Sequence, residues 1–217
     1  MIMLCPSRGR PGNITELRGA WDEVTDSADL LVAVDDDDPM VAEYEDVRVL
    51  SSPRRLGPIL NALAVEAAAG YEAVGFLGDD HRPRTPGWDT RLLAALDGRP
   101  GVAYGNDLHQ GGKLPTAVVI SSVIIQELGY MVPPVLEHLY LDDFWRRLGL
   151  DLGHLEYLPD VIIEHCHPNA GKASWDDGYE RVNSPGQDTA DSAAYGQFMS
   201  SAWPTDLTRL RAGLDCL

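Results

Sequence analysis

The sequence predicts an α/β fold, a mixed, mostly parallel sheet flanked by helices, with a polar C-terminal extension. Three observations carry that reading. Short apolar runs alternate with segments of helical period over the first two thirds of the chain. Those runs stop abruptly at turns rich in Gly, Pro or Asp. The composition is that of a folded domain, with 44% hydrophobic and 24% charged side chains in 217 residues, and a chain of this size buries about 70% of its unfolded surface.

Met1 to Cys5 reads as a first buried strand, too brief and without the basic residues of a signal peptide, and it ends in the turn Pro6 to Pro11. Asn13 is placed to cap a helix, with Glu16 three residues later and Ile14, Leu17, Trp21 and Val24 on one face. Asp29 to Val34 fits a central strand, stopped by Asp35-Asp36-Asp37-Asp38-Pro39, and Val47 to Leu50 is a third. A helix is expected from about Pro58 through Ala69, closed by Gly70. Ala73 to Leu77 is a fourth strand, running directly into Gly78-Asp79-Asp80-His81. Trp88 to Leu96 is helical, and Val102 to Tyr104 and Ala117 to Ile120 are strands. Ser121 to Leu128, closed by Gly129, and Asp142 to Leu148, closed by Gly149, are helices, and Val161 to His165 is a late strand. From Pro168 the chain turns polar, with two small helices expected, which divides it into residues 1–168 and an extension over 169–217.

Charge and cysteine usage narrow the function classes. The net charge of −17, from 34 acids and 17 bases, argues against bulk nucleic-acid binding, which needs a basic footprint. Three widely spaced cysteines (Cys5, Cys166, Cys216) make no disulfide framework, so a cytoplasmic setting is expected. No apolar run approaches the ~20 residues of a membrane span.

The residues that carry chemistry stand just past strand ends, where ligands bind in open α/β sheets. Asp79 and Asp80 are adjacent carboxylates that need a cation or donors to compensate them, and oxygen ligands of this kind suit Mg²⁺ or Mn²⁺. His165 and His167, at i and i+2, fall on one face of a strand end in metal-ligand spacing, with Glu164 beside them to orient an imidazole. Asp35 follows an apolar strand and is placed to accept from a ribose or base, and the rest of its acidic run reads as surface. Asp142 and Asp143 open a helix, where they act either as caps or as a general base. Arg8, Arg10, Arg54 and Arg55 lie in loops after strands and suit a diphosphate. Trp88, Trp145 and Trp175 offer either core packing or a stacking platform.

Taken in order, these pieces resemble the GT-A glycosyltransferases, especially the large family-two group of inverting enzymes, over roughly residues 1–168. The resemblance implies a GT-A-like sheet and a metal-dependent transfer of sugar from a nucleoside-diphosphate sugar, most commonly a UDP-sugar, to an acceptor hydroxyl with inversion. It implies that Pro6, Ser7, Arg8, Asp35 and Asp36 hold the nucleoside, with Arg55, Asn61 and Asp79 also on the donor. The family's Asp-x-Asp falls on Gly78-Asp79-Asp80, so its first acid is replaced by Gly78 and Asp80 becomes the ligand of Mn²⁺ or Mg²⁺. His165 or His167 completes the metal site, and His81 is an alternative contributor. The acidic pair at the late helix matches Asp142-Asp143, with Asp143 as base. The acceptor stays open among glycan, protein, small molecule and modified nucleobase, and residues 169–217 would shape its side or serve packing.

Three other classes compete. A metal-dependent phosphoesterase would use the Asp and His cluster but leaves Asp35 and Asp142-Asp143 idle. A sugar-phosphate nucleotidyltransferase would need a Gly-rich phosphate loop followed by Lys near the N-terminus, which the chain lacks. A non-catalytic sugar- or nucleotide-binding module would bind the same ligands without turnover.

Overall fold

The computed structural model describes residues 1–176, 179–180 and 184–216. Its strands are β1 (Ile2–Ser7), β2 (Asp29–Asp35), β3 (Arg48–Leu50), β4 (Ala73–Phe76), β5 (His81–Pro83), β6 (Val102–Asn106), β7 (Val118–Ser121) and β8 (Leu155–His165). Its α-helices are α1 (Pro11–Val24), α2 (Leu56–Ala68), α3 (Trp88–Ala95), α4 (Ser122–Leu128), α5 (Leu141–Leu152), α6 (Pro185–Ser201) and α7 (Trp203–Leu214).

The strands form one sheet in the order β3-β2-β1-β4-β7-β6-β8-β5. β3, β2, β1 and β4 pair in parallel, β7 is antiparallel to both β4 and β6, and β6 and β8 are again parallel. The carboxyl ends of β1, β2, β4, β6 and β8 therefore open on one edge, and the site is built there.

The central strands are buried on both faces, which is why they read as unbroken apolar runs. Alternation sorts their side chains into two cores: Ile2, Leu4, Val118 and Ile120 pack towards α2, α4 and α5, whereas Met3, Cys5, Ala117 and Val119 pack towards α1 and α3. Phe198 of α6 and Trp203 and Leu210 of α7 belong to the first of these cores.

Several local expectations are corrected. Asn13 does not cap α1, which begins at Pro11 after Arg10; a Pro in the first helical turn needs no donor partner. α5 does not stop at Gly149 but runs to Leu152 and closes on Gly153 at φ 70°. Gly149 is there for space, since a Cβ would stand 2.7 Å from Leu155 Cδ1 and 3.2 Å from Val102 Cβ. β8 begins at Leu155, earlier than Val161, and β5 is too short to show a period of two. α6, at 17 residues, is no small helix.

Candidate active site

A cavity of about 710 Å³ lies at the carboxyl edge of the sheet. Pro6 and Ser7 of β1, Asp35 at the end of β2, Asp79 and Asp80 after β4, His165 at the end of β8 and Asp142 in the first turn of α5 all line it. Residues far apart in sequence thus converge because the strands that carry them end on one edge.

One group of polar residues in the cavity centres on Asp35 and Asp79. Arg8 Nη1 donates to Asp35 Oδ2 at 3.1 Å, while Asp35 Oδ1 is buried with no hydrogen-bond partner. A buried carboxylate oxygen left unpaired is costly and marks a position that a ligand donor would satisfy. Asp79 accepts from Ser7 Oγ at 2.7 Å, Arg10 Nη1 at 3.3 Å and Asn13 Nδ2 at 3.4 Å. Burial, and then the neighbouring Asp80, push its carboxyl above the ordinary value.

A second group centres on Asp80. Ligand atoms of Asp80, His81 and His165 lie within 4.8 Å of one another. His165 Nε2 is 3.2 Å from Asp80 Oδ2, and the His81 and His165 rings stack at 4.2 Å because β5 and β8 pair these two residues directly. Gly78 is required by this packing: a Cβ there would stand 2.7 Å from Asp80 Oδ1 and 3.0 Å from His81 Nδ1. The Gly78 amide donates to His81 Nδ1 at 3.0 Å. Against the cost of burial, the His165 ring and then the His81 ring hold Asp80 well below the usual carboxylate range. Burial pushes His81 down, followed by the charge of His165. His165 is itself buried, yet Asp107 and Asp80 raise it to about 9. One carboxylate and two imidazoles form a mixed oxygen and nitrogen donor set that fits a divalent transition cation.

His167 stays outside this group of three. Its Nδ1 accepts the Asn169 amide at 3.1 Å, and burial, then His165, lower it to about 4. Glu164 does not orient an imidazole; it pairs with Arg84 and Lys172, each at 2.9 Å, on the opposite face of β8.

Asp142 lines the cavity, whereas Asp143, one helical step on, does not. Burial, and then Asp143, push Asp142 up to about 6, and its Oδ1 accepts the Asp143 amide at 3.0 Å. Asn61 faces the protein interior, accepting from the amides of Met131 and Val132 at 2.8 and 2.9 Å and donating to Val132 O at 3.0 Å. Asp36 is exposed and does not itself line the cavity, but pairs at 2.6 Å with Arg54, which does. Arg55 lines the cavity, 3.6 Å from Glu137. Trp88 is core, bonded to Thr25 Oγ1 at 2.9 Å, and Trp145 is buried and lines the cavity. Trp175 is half exposed and meets the His167 ring in a T-shaped contact at 6.1 Å.

Two site residues went unread in the sequence. Asp107, at the end of β6, accepts from the amides of His109, Gln110 and Gly111 and from Thr116 Oγ1, and its Oδ2 lies 3.9 Å from His165 Nδ1. Its place after an apolar strand is the signal that would have found it. Tyr179, whose hydroxyl donates to Asp80 Oδ2 at 2.6 Å and whose ring lies under Arg10, comes from the polar C-terminal stretch with no pattern to announce it.

No family model and no curated protein sequence matches the chain. Solved structures do. The mannosyltransferase PcManGT from Pyrobaculum calidifontis, in complex with GDP-Man and Mn²⁺, is 13% identical, with a TM-score of 0.56 over 98% of this chain and 85% of its own. TarS 1-349 of S. aureus, in complex with UDP-GlcNAc, is 12% identical with a TM-score of 0.57 over 92% of this chain and 72% of its own. In its UDP complex the same fragment gives 13% identity and a TM-score of 0.57 over 75% of this chain, which spans only 58% of that fragment. The chain has the GT-A-like fold that these structures share.

Proposed function

We propose that the protein is a glycosyltransferase that moves a sugar from a nucleoside-diphosphate sugar, UDP-linked in the first instance, to an acceptor hydroxyl with inversion. The observation that carries this reading is the convergence on one cavity of Asp35 with its unpaired oxygen, the Asp80, His81 and His165 group, and Asp142 with its raised pKa. TarS and PcManGT, which share the fold, are seen with UDP, UDP-GlcNAc or GDP-Man, and the latter with Mn²⁺.

Each residue has a task in that reaction. Asp35 Oδ1 accepts a hydroxyl or ring N–H of the nucleoside, and Arg8 and Arg55 set positive charge beside the diphosphate. Asp80, His81 and His165 would hold the cation, and the two imidazoles favour Mn²⁺ over Mg²⁺. When bound, the cation neutralises negative charge on the departing diphosphate. Asp142 takes the proton from the acceptor hydroxyl as that oxygen attacks the anomeric carbon; of the acidic pair it is the one that lines the cavity, with its carboxyl raised to about 6, and so it replaces Asp143 in the role. The acidic chain, at −17, favours an acceptor other than a bulk polyanion.

Binding of UDP, GDP and TDP measured by calorimetry, with Mn²⁺ and with chelator, tests the donor side. Metal-dependent binding of one nucleotide that is lost in Asp80→Ala is the expected result; cation binding with no affinity for any nucleotide would point to the phosphoesterase instead. NMR of the product anomer reads inversion directly.

A further inference from the structure

α6 buries one carboxylate, Asp191, at 2% exposure. Its Oδ1 accepts the Glu137 amide at 3.1 Å, and its Oδ2 accepts those of His138 and Leu139 at 3.0 and 2.8 Å. Gln187 Nε2 donates to the same Oδ2 at 2.9 Å. These four donors fill the acceptor capacity of the carboxylate, and three of them come from a distant loop.

That loop is a wall of the cavity. Glu137, His138, Leu139 and Tyr140 line it and run directly into α5, whose first turn carries Asp142. Tyr140 sits at φ 65°, a left-handed conformation that a bulky residue keeps only where its surroundings dictate it. The surroundings do so from two sides. From α6, Asp191 holds the three preceding amides, Asp188 Oδ1 accepts the Tyr140 hydroxyl at 3.1 Å and Tyr195 stacks on its ring at 5.6 Å. From α2, the Gly57 amide donates to Glu137 O at 2.9 Å, an approach so close that a Cβ on Gly57 would stand 2.2 Å from Leu136 O.

We propose that Asp191 is a positioning residue for the reaction: by fixing the amides of residues 137–139 from the C-terminal region, it places the start of α5, and with it the Asp142 carboxylate, where it meets the acceptor hydroxyl. The inference rests on the reading of Asp142 as the base. Displacing such a group by about 1 Å costs on the order of a hundredfold in rate. The C-terminal region thereby takes a part in the site that its polar, irregular sequence does not advertise.

A matched pair of variants tests this. Asp191→Asn keeps the shape but turns an amide group towards amide donors. Asp89→Asn is its control, because Asp89 clamps the amides of Asp26, Ser27 and Ala28 in the same manner but lines no part of the cavity. The readouts are hydrogen exchange at the amides of residues 137–139 and of Phe144, the affinity for UDP with Mn²⁺, and the rate of UDP release from UDP-glucose with glycerol as acceptor. In Asp191→Asn, exchange at these amides should rise at least tenfold and turnover should fall about 10- to 100-fold, with UDP affinity within twofold of native. Asp89→Asn should leave all three at native values while lowering the melting temperature. Native exchange at residues 137–139 in Asp191→Asn, or native turnover per folded molecule, overturns the proposal. If Asp191→Asn does not fold, Gln187→Ala removes one of the four donors, and unchanged exchange at 137–139 there counts against it equally. Native turnover in Asp142→Asn would instead bring down the base assignment, and exchange alone then decides whether Asp191 holds the wall.

Discussion

Asp142 and Asp143 are indistinguishable by sequence, both acidic and both in the first turn of a helix. The structure separates them by burial and by the cavity, and the separation has a measurable sign. A carboxyl raised from an ordinary value near 3.8 to about 6 favours its protonated form in the folded state. Its contribution is therefore fully present below pH 3.8 and is lost as pH rises through 6. Asp142→Asn should then stabilise the fold at pH 8 by about 2–3 kcal/mol, and hardly at all at pH 4, by thermal denaturation. Activity should show the mirror image: donor turnover rises with pH through about 6 as the base ionises, and the Asn variant has lost that limb along with the turnover. Gly78 gives a second prediction. Restoring a side chain where GT-A enzymes carry an acid would drive a Cβ into Asp80 Oδ1 at 2.7 Å, so Gly78→Ala should weaken Mn²⁺-dependent UDP binding at least tenfold by calorimetry. Unaltered binding would show that Asp80 moves aside freely.

At the scale of elements, apolar periodicity located the helices and most strands, because burial on one or two faces repeats with the backbone period. It failed where another force set the boundary. β5 has three residues and exists because His81 to Pro83 pair with Ile163 to His165. Gly149 looked like a helix stop but is a small residue at a helix–strand contact, and α5 continues past it. Gly149→Ala gains about 1 kcal/mol of helix propensity and loses about 1–3 kcal/mol to overpacking against Leu155 and Val102. The second effect should win: urea denaturation should show a net loss of up to about 2 kcal/mol. A gain in stability would mean that β8 yields to the methyl group.

For the molecule as a whole, the two C-terminal helices α6 and α7 pack onto the sheet's first core. Phe198, Trp203 and Leu210 are buried at 6%, 2% and 0% exposure in the same core as Leu4 and Ile120. Burying three such side chains contributes about 5–9 kcal/mol, comparable with the entire stability of a domain. A chain ending at residue 184 should therefore lose its cooperative thermal transition. A sharp native-like melt would show that the sheet and α1 to α5 stand alone. Among the described residues no helix is long and apolar enough to cross a membrane.

The sequence by itself determined the α/β class, the alternation of elements, and the strand-end positions of Asp35, Asp79, Asp80 and His165, since burial and turn chemistry are local and periodic. Only the tertiary structure decided which polar residues share a cavity. It turned Asn61 and Glu164 to other partners, left Asp36 and Asp143 out of the cavity lining, put His81 rather than His167 beside Asp80, and brought in Asp107, Tyr179 and Asp191. The physical reason is that side-chain chemistry depends on what faces it across the sheet edge. Those neighbours are set by strand order and helix docking, interactions over many tens of residues that leave no period in the chain.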